Sequence, residues 1–125
     1  MLGHTNAIAN IAVRELGRAK NFYIGTLGLS EVEGMGDEVA VLKSGSSLVN
    51  VYRSDFAGTN KATAVTWAVG GDIDRLVKEL KLRGVAFEHY DLPDTRLEGD
   101  VHVFGDFRVA WFKDPDGNIL NLINQ

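Results

Sequence analysis

The sequence predicts an α+β fold: two βαβββ modules forming a curved half-barrel sheet, with the helices on its convex side. Three observations predict it. There are two amphipathic helical segments, short strand-like runs around each, and a register shared between the two halves of the chain. The helical pattern is cleaner in the second half, where Ile73, Leu76, Val77 and Leu80 recur at i, i+3, i+4 and i+7. Asp72 precedes them as an N-cap and Gly84 follows as a stop. In the first half, Leu16, Ala19, Phe22 and Tyr23 form the apolar face. Glu15 gives that helix a dipole-compensating start, and Gly25 or Gly28 ends it.

Strands are expected before each helix, over residues 7–13 and 64–69. Three more follow the first helix, over 29–33, 38–42 and 47–52, and three follow the second, over 85–89, 108–113 and 118–123. The last two flank Asp114-Pro115-Asp116-Gly117-Asn118, whose Asp-Gly pair is a strong hairpin signal. The same 56 residues separate Val13 from Val69, at the two strand ends, and Gly28 from Gly84, at the two helix ends. A duplication predicts such a shared offset. The second half has an extra stretch between His89 and Gly105, polar at Asp91, Pro93, Asp94, Glu98, Gly99 and Asp100, expected to be a loop. The expectation is one domain over 1–125, with module one at about 6–56 and module two at about 62–124. One helix covers only one face of each sheet, so pairing two modules leaves a concave side for a ligand.

Composition narrows the function classes. Apolar residues make up 45% and charged residues 24%, which is ordinary globular chemistry. Net charge is −4, and the Lys and Arg residues are interspersed with acids, so no nucleic-acid partner is expected. There is no cysteine, hence neither a disulfide framework nor a thiolate metal site. The first six residues lack the basic start and apolar run of a secretion signal, and no apolar stretch reaches the ~20 residues of a membrane span. A soluble cytoplasmic protein without a membrane partner is expected.

The run Val13-Arg14-Glu15-Leu16, then Asn21-Phe22-Tyr23 and Leu27-Gly28-Leu29, resembles the first module of the vicinal oxygen chelate superfamily. That superfamily includes glyoxalase I, extradiol dioxygenases, and the bleomycin and fosfomycin resistance proteins. Trp111-Phe112-Lys113-Asp114-Pro115-Asp116-Gly117-Asn118 resembles its last hairpin, so the resemblance spans about residues 6 to 124. Fold alone does not choose among the superfamily's chemistries. Its catalytic members place one metal ligand, usually His or Glu, on each of four strands. The positions that match here are Ile8, Asn50, Ala64 and Asn121. Ile8 and Ala64 cannot ligate, and two neutral amides are too weak to hold Zn²⁺, Fe²⁺ or Ni²⁺ alone. A slip by one residue at Ile8 or Ala64 recruits only Ala7, Ala9, Thr63 or Val65. No metal and no cofactor are therefore expected.

Those positions also define the concave face, because side chains alternate across a strand. On it fall Ile8, Asn10 and Ala12; Leu48, Asn50 and Tyr52; Ala64, Thr66 and Ala68; and Ile119, Asn121 and Ile123. The larger and more apolar Ile11, Val13, Val49, Val51, Val65, Trp67, Val69, Leu120 and Leu122 then face the helices. Small residues leave room, and uncharged hydrogen-bonding groups orient a ligand. Alternatively, Asn50 and Asn121 satisfy each other as relics of a lost site. Trp111 and Phe104 stack on a planar ligand at the mouth, or Trp111 packs in the core. His4 reads as a solvated terminal residue. His89, beside Glu88 and Asp91, and His102, in the long loop with Asp100, form a candidate proton-transfer site, against the commoner alternative of isolated surface histidines.

The leading expectation is a metal-free small-molecule-binding protein, a homodimer by analogy with the drug-sequestering members. Its ligand-binding residues would be Ile8, Asn10, Leu48, Asn50, Tyr52, Ala64, Thr66, Asn121, Ile123 and Trp111. One alternative is a metal-independent isomerase, hydrolase or lyase with His89 or His102 as general base. The other is a divergent metal-dependent lyase or dioxygenase.

Overall fold

A computed structural model describes residues 1–125, except for the side chains of residues 33–35. The fold is α+β, with ten strands and two α-helices among the described residues. The chain forms two compact units, Met1–Thr59 and Asn60–Gln125.

The first unit runs β1 (Ala9–Val13), α1 (Leu16–Lys20), β2 (Ser30–Met35), β3 (Val39–Ser44) and β4 (Ser47–Arg53). Its sheet has the order β1-β4-β3-β2, with β1 parallel to β4 and the other pairs antiparallel. Alternation decides the core. Ile11, Val13, Ala40, Leu42, Val49 and Val51 are buried on one face, and Leu16, Ala19 and Tyr23 from the helical segment are buried with them. Beyond Lys20 the helix widens into a π-helical turn, Asn21–Thr26, which periodicity did not announce.

The second unit runs β5 (Thr63–Ala68), α2 (Ile73–Leu82), β6 (Phe87–Glu88), β7 (Arg96–Glu98), β8 (Val101–Phe104), β9 (Phe107–Lys113) and β10 (Ile119–Ile123). Its sheet is ordered β5-β10-β9-β8-β7, with β6 also paired to β9 and β5 parallel to β10. β5, β10 and β9 thus repeat the arrangement of β1, β4 and β3, and β6 and β8 share the place of β2. Both helical segments end alike. Gly28 (φ +84°) and Gly84 (φ +93°) adopt the left-handed backbone that ends a helix. Gly84 N–H donates to Lys81 C=O and Val85 N–H to Leu80 C=O, each at 3.0 Å, which is a Schellman pair. In the first unit Leu29 N–H reaches Tyr23 C=O at 2.9 Å, one residue further back because of the π turn.

Three expectations change. Asp72 does not cap α2: its backbone (φ −83°, ψ 0°) lies outside the extended region a capping residue needs, and its carboxylate meets Arg75 at 3.3 Å instead. The stretch from 90 to 105 is not simply a polar loop. It contains the β7–β8 hairpin, turned at Gly99 (φ +62°), and buries Val101, His102 and Val103. His102 therefore sits in a strand. Finally, the pairing of β5 with β10 shifts at Ala64, between the partners Thr63–Ile119 and Val65–Leu120.

The Asp-Gly hairpin forms, with a longer turn than a two-residue one. Asp114 Oδ1 accepts from the N–H groups of Asp116 and Asn118, both at 2.9 Å, and Gly117 takes φ +89°. Among the described residues no helix is long and apolar enough to cross a membrane.

Candidate functional site

In the second unit, strand register brings distant residues onto one face. Asn121 on β10 stands beside Thr66 on β5 and opposite Trp111 on β9, and His102 on β8 stands opposite Val109. Alternation puts Thr66, Asn121, Ile123, Trp111, His102 and Phe104 on the same side. Trp67, Leu120 and Phe112 take the other side, where Trp67 stacks on Phe112 at 6.4 Å.

Trp111 is the hub of that face. Its indole Nε1–H donates to Thr63 Oγ1 at 3.1 Å, made possible by the register shift beside Ala64. The ring meets His102 at 4.9 Å and Tyr90 at 5.3 Å, both nearly perpendicular. Edge-to-face contacts of this kind contribute about 0.5–1.5 kcal/mol each beyond area burial. Asn121 is 8% exposed, and its Oδ1 is buried with no hydrogen-bond partner among the described residues.

His102 is 0% exposed. Its Nε2 accepts from the backbone N–H of Tyr90 at 2.9 Å, so the lone pair is on Nε2 and a neutral ring carries its proton on Nδ1. Nδ1 is buried and makes no well-formed hydrogen bond. Burial lowers the ring's pKa from the usual 6.5, repulsion from His89 adds to it, and the Tyr90 N–H on Nε2 favours the same neutral form.

His89 is half exposed, and its Nε2 lies 2.7 Å from Asp100 Oδ1. A carboxylate only accepts, so Nε2 carries the proton and the neutral ring keeps its lone pair on Nδ1. Asp100 Oδ2 also meets Lys81 Nζ at 2.7 Å. Lys81 first, and His89 second, hold the Asp100 carboxyl below the usual carboxylate range. The His89 and His102 rings lie 6.4 Å apart.

The first unit gathers a smaller polar group. Asn10 and Asn50 are direct partners in the β1–β4 register, and Asn50 Nδ2 donates to Asn10 Oδ1 at 3.3 Å. Leu48 and Tyr52, two residues to either side of Asn50, share its face, and Tyr52 is 37% exposed. Ile8 precedes β1 and is 44% exposed, its carbonyl accepting from Asn10 Nδ2 at 3.4 Å.

Sequence reasoning missed two members of the second group. Thr63 entered only as a possible slip, although a part-buried indole N–H needs an acceptor nearby. Tyr90 adjoins His89 in sequence, yet its role comes from a backbone N–H, which no side-chain motif advertises. Phe104 tilts against Phe107 at 6.1 Å across the β8–β9 turn.

The residues do not fit a metal of the kind the fold family uses. Ile8 and Ala64 offer alkyl groups, Asn50 is engaged with Asn10, and Asn121 offers one neutral oxygen. The Nε2 atoms of His89 and His102 are each in hydrogen bonds. Among the described residues no three His, Asp or Glu side chains converge to hold an ion.

Residues 2–122 match the model of the Glyoxalase/Bleomycin resistance protein/Dioxygenase superfamily. The chain belongs to this superfamily. No curated protein matches it in sequence. Among solved structures it is similar to the fosfomycin resistance protein FosX from Mesorhizobium loti, at 16% identity and TM-score 0.71, over 100% of this chain and 94% of that one. It is similar to lactoylglutathione lyase from Agrobacterium tumefaciens, at 14% identity and TM-score 0.72, over 98% and 95%. It is also similar to a glyoxalase/bleomycin resistance protein/dioxygenase from Alicyclobacillus acidocaldarius, at 22% identity and TM-score 0.71, over 96% and 90%. At these identities the likeness is one of fold.

Proposed function

We propose that this superfamily member is a metal-free small-molecule-binding protein whose ligand rests on the helix-free face of the second unit. The observation that carries this is the partnerless Asn121 Oδ1 beside Trp111. An unsatisfied buried acceptor costs about 1–3 kcal/mol, a cost that contact with a ligand donor recovers. Thr66 and His102 add neutral polar groups, and Trp111 and Tyr90 add aromatic surface, a combination suited to a small aromatic or amphipathic molecule. A cytoplasmic homodimer in which both units act as one domain completes the proposal, and light scattering checks its mass.

The test is titration of the purified protein with neutral aromatic hydrogen-bond donors, indole and benzamide, followed by tryptophan fluorescence. Binding is expected in the native protein and is expected to weaken at least tenfold in Asn121→Leu, equivalent to ~1.4 kcal/mol. Equal affinity in the two proteins would remove Asn121 from the site, and no binding at all would count against the proposal.

One observation favours a second reading, a metal-independent enzyme. Asp100 orients His89 so that its free Nδ1 lone pair is available as a general base. Under that reading, turnover disappears in His89→Asn while binding of the aromatic probes survives.

A further inference from the structure

Tyr90 is held to the sheet through its backbone, and its hydroxyl makes no hydrogen bond among the described residues. Its N–H donates to His102 Nε2 at 2.9 Å, and its ring lies 5.3 Å from Trp111 and 6.0 Å from His102. β6 ends at Glu88, and β7 begins at Arg96, so Tyr90 lies in the connection that leaves the sheet here. That connection crosses the face on which Trp111 and His102 stand. Its fastening uses the lone pair of a fully buried imidazole. A protonated imidazole has no such lone pair and only donates. Protonation would set two N–H groups against each other and place a charge where water does not reach.

We propose that Tyr90 is a lid on the Trp111 face, latched by neutral His102, and that protonation of His102 releases it. The inference rests on the ligand site proposed above and supplies its regulation.

The charged and titratable groups around His102 favour release. From the β6 side it faces His89, 6.4 Å away, which repels a second positive charge whenever it is itself protonated. Asp100 on the β7–β8 turn could attract that charge, but it is already held by Lys81 from α2 and by His89, each at 2.7 Å. Glu88, which pairs with Trp111, is matched by Lys113 at 3.4 Å. Tyr90 and, next to it, Asp91 are titratable groups of the connection itself. Asp100 and Glu88, the two carboxylates that face this cluster from the sheet, are thus both already engaged. The lowered pKa of the ring agrees, and it sets the trigger below the usual imidazole range.

The experiment uses Trp67→Phe protein, in which Trp111 is the remaining indole, taken from about pH 8 to about pH 5. NMR follows the His102 ring nitrogens and the exchange protection of the Tyr90 amide, and acrylamide quenching follows Trp111. With His102 titrating, the Tyr90 protection factor should fall about tenfold per pH unit, and quenching should rise with the same midpoint. Quenching or protection that stays flat while His102 titrates overturns the lid, as does a midpoint that tracks His89. Two variants keep the test sharp. His102→Phe should show the open state at every pH. His89→Asn, which leaves the latch intact, should move the midpoint upward.

The neutral probe N-phenyl-1-naphthylamine separates this lid from the binding proposal. Gated quenching without probe binding at any pH upholds the lid and counts against the ligand site. Probe binding that ignores the His102 midpoint upholds the site and overturns the lid.

Discussion

At the scale of single residues, the open face of the second unit combines one acceptor without a donor, Asn121 Oδ1, with one imidazole kept neutral by its surroundings. His102 links folding to pH in a direction that can be worked out. In the unfolded chain its pKa is near 6.5, and in the folded protein it is lower. Between those values the unfolded state binds more protons, so stability rises with pH. The contribution is fully present above about pH 6.5 and is lost as pH falls through the interval below. Urea midpoints measured across that interval should fall with acid in the native protein and fall less in His102→Phe. Parallel curves for the two proteins would show that His102 is not the linked group. A separate acid limb lies lower. Glu98, held below its usual 4.5 by Arg108 first and Arg96 second, contributes stability above that value and loses it as pH falls further.

At the scale of elements, the helix ends carry the duplication. Gly84 closes α2 with its N–H and that of Val85 on two helix carbonyls. Apart from its chain neighbours, no described heavy atom lies within 4 Å of where a Cβ would stand, so the left-handed backbone at φ +93° is the main cost of a side chain there. Gly84→Ala should therefore destabilise by about 1–2 kcal/mol, measured by urea denaturation, without altering ligand binding. A neutral result would mean that the Schellman turn rearranges. This ending was legible because periodicity stops where glycine stands. The strand faces were legible too: Val49 and Val51 are buried, whereas Asn50 between them is not. The β7–β8 hairpin was not, because Asp91, Pro93, Asp94 and Asp100 outweighed the alternating Val101-His102-Val103-Phe104. The same misjudgement hid the depth of His102. Charged residues also hold this hairpin in place. Arg108 reaches Glu98 on β7 at 2.7 Å and Asp74 on α2 at 2.9 Å, a long-range bridge that no local pattern encodes.

At the scale of the whole molecule, one topology occurs twice in one chain, and the units differ in what their helix-free faces carry. The first pairs two asparagines that satisfy each other in part, and the second collects Trp111, His102, Tyr90 and an unsatisfied amide oxygen. Superfamily membership alone leaves open whether a metal is used, and the donors present decide it. First-row divalent ions need several imidazole, thiolate or carboxylate ligands at once. The four positions matched to the family's ligands supply two alkyl side chains and two neutral amides, and the chain has no cysteine. His89 and His102 each use Nε2 in a hydrogen bond, so recruiting either through that atom would break an existing contact. Native mass spectrometry of protein purified without chelator should thus give the mass of a homodimer without a divalent ion. Any retained organic molecule should disappear on denaturation and be weakened by Asn121→Leu. A stoichiometric Zn²⁺, Fe²⁺ or Ni²⁺ that survives dialysis would overturn the metal-free proposal. It would also direct attention to the Nδ1 lone pair of His89, which stays available while Asp100 holds Nε2–H.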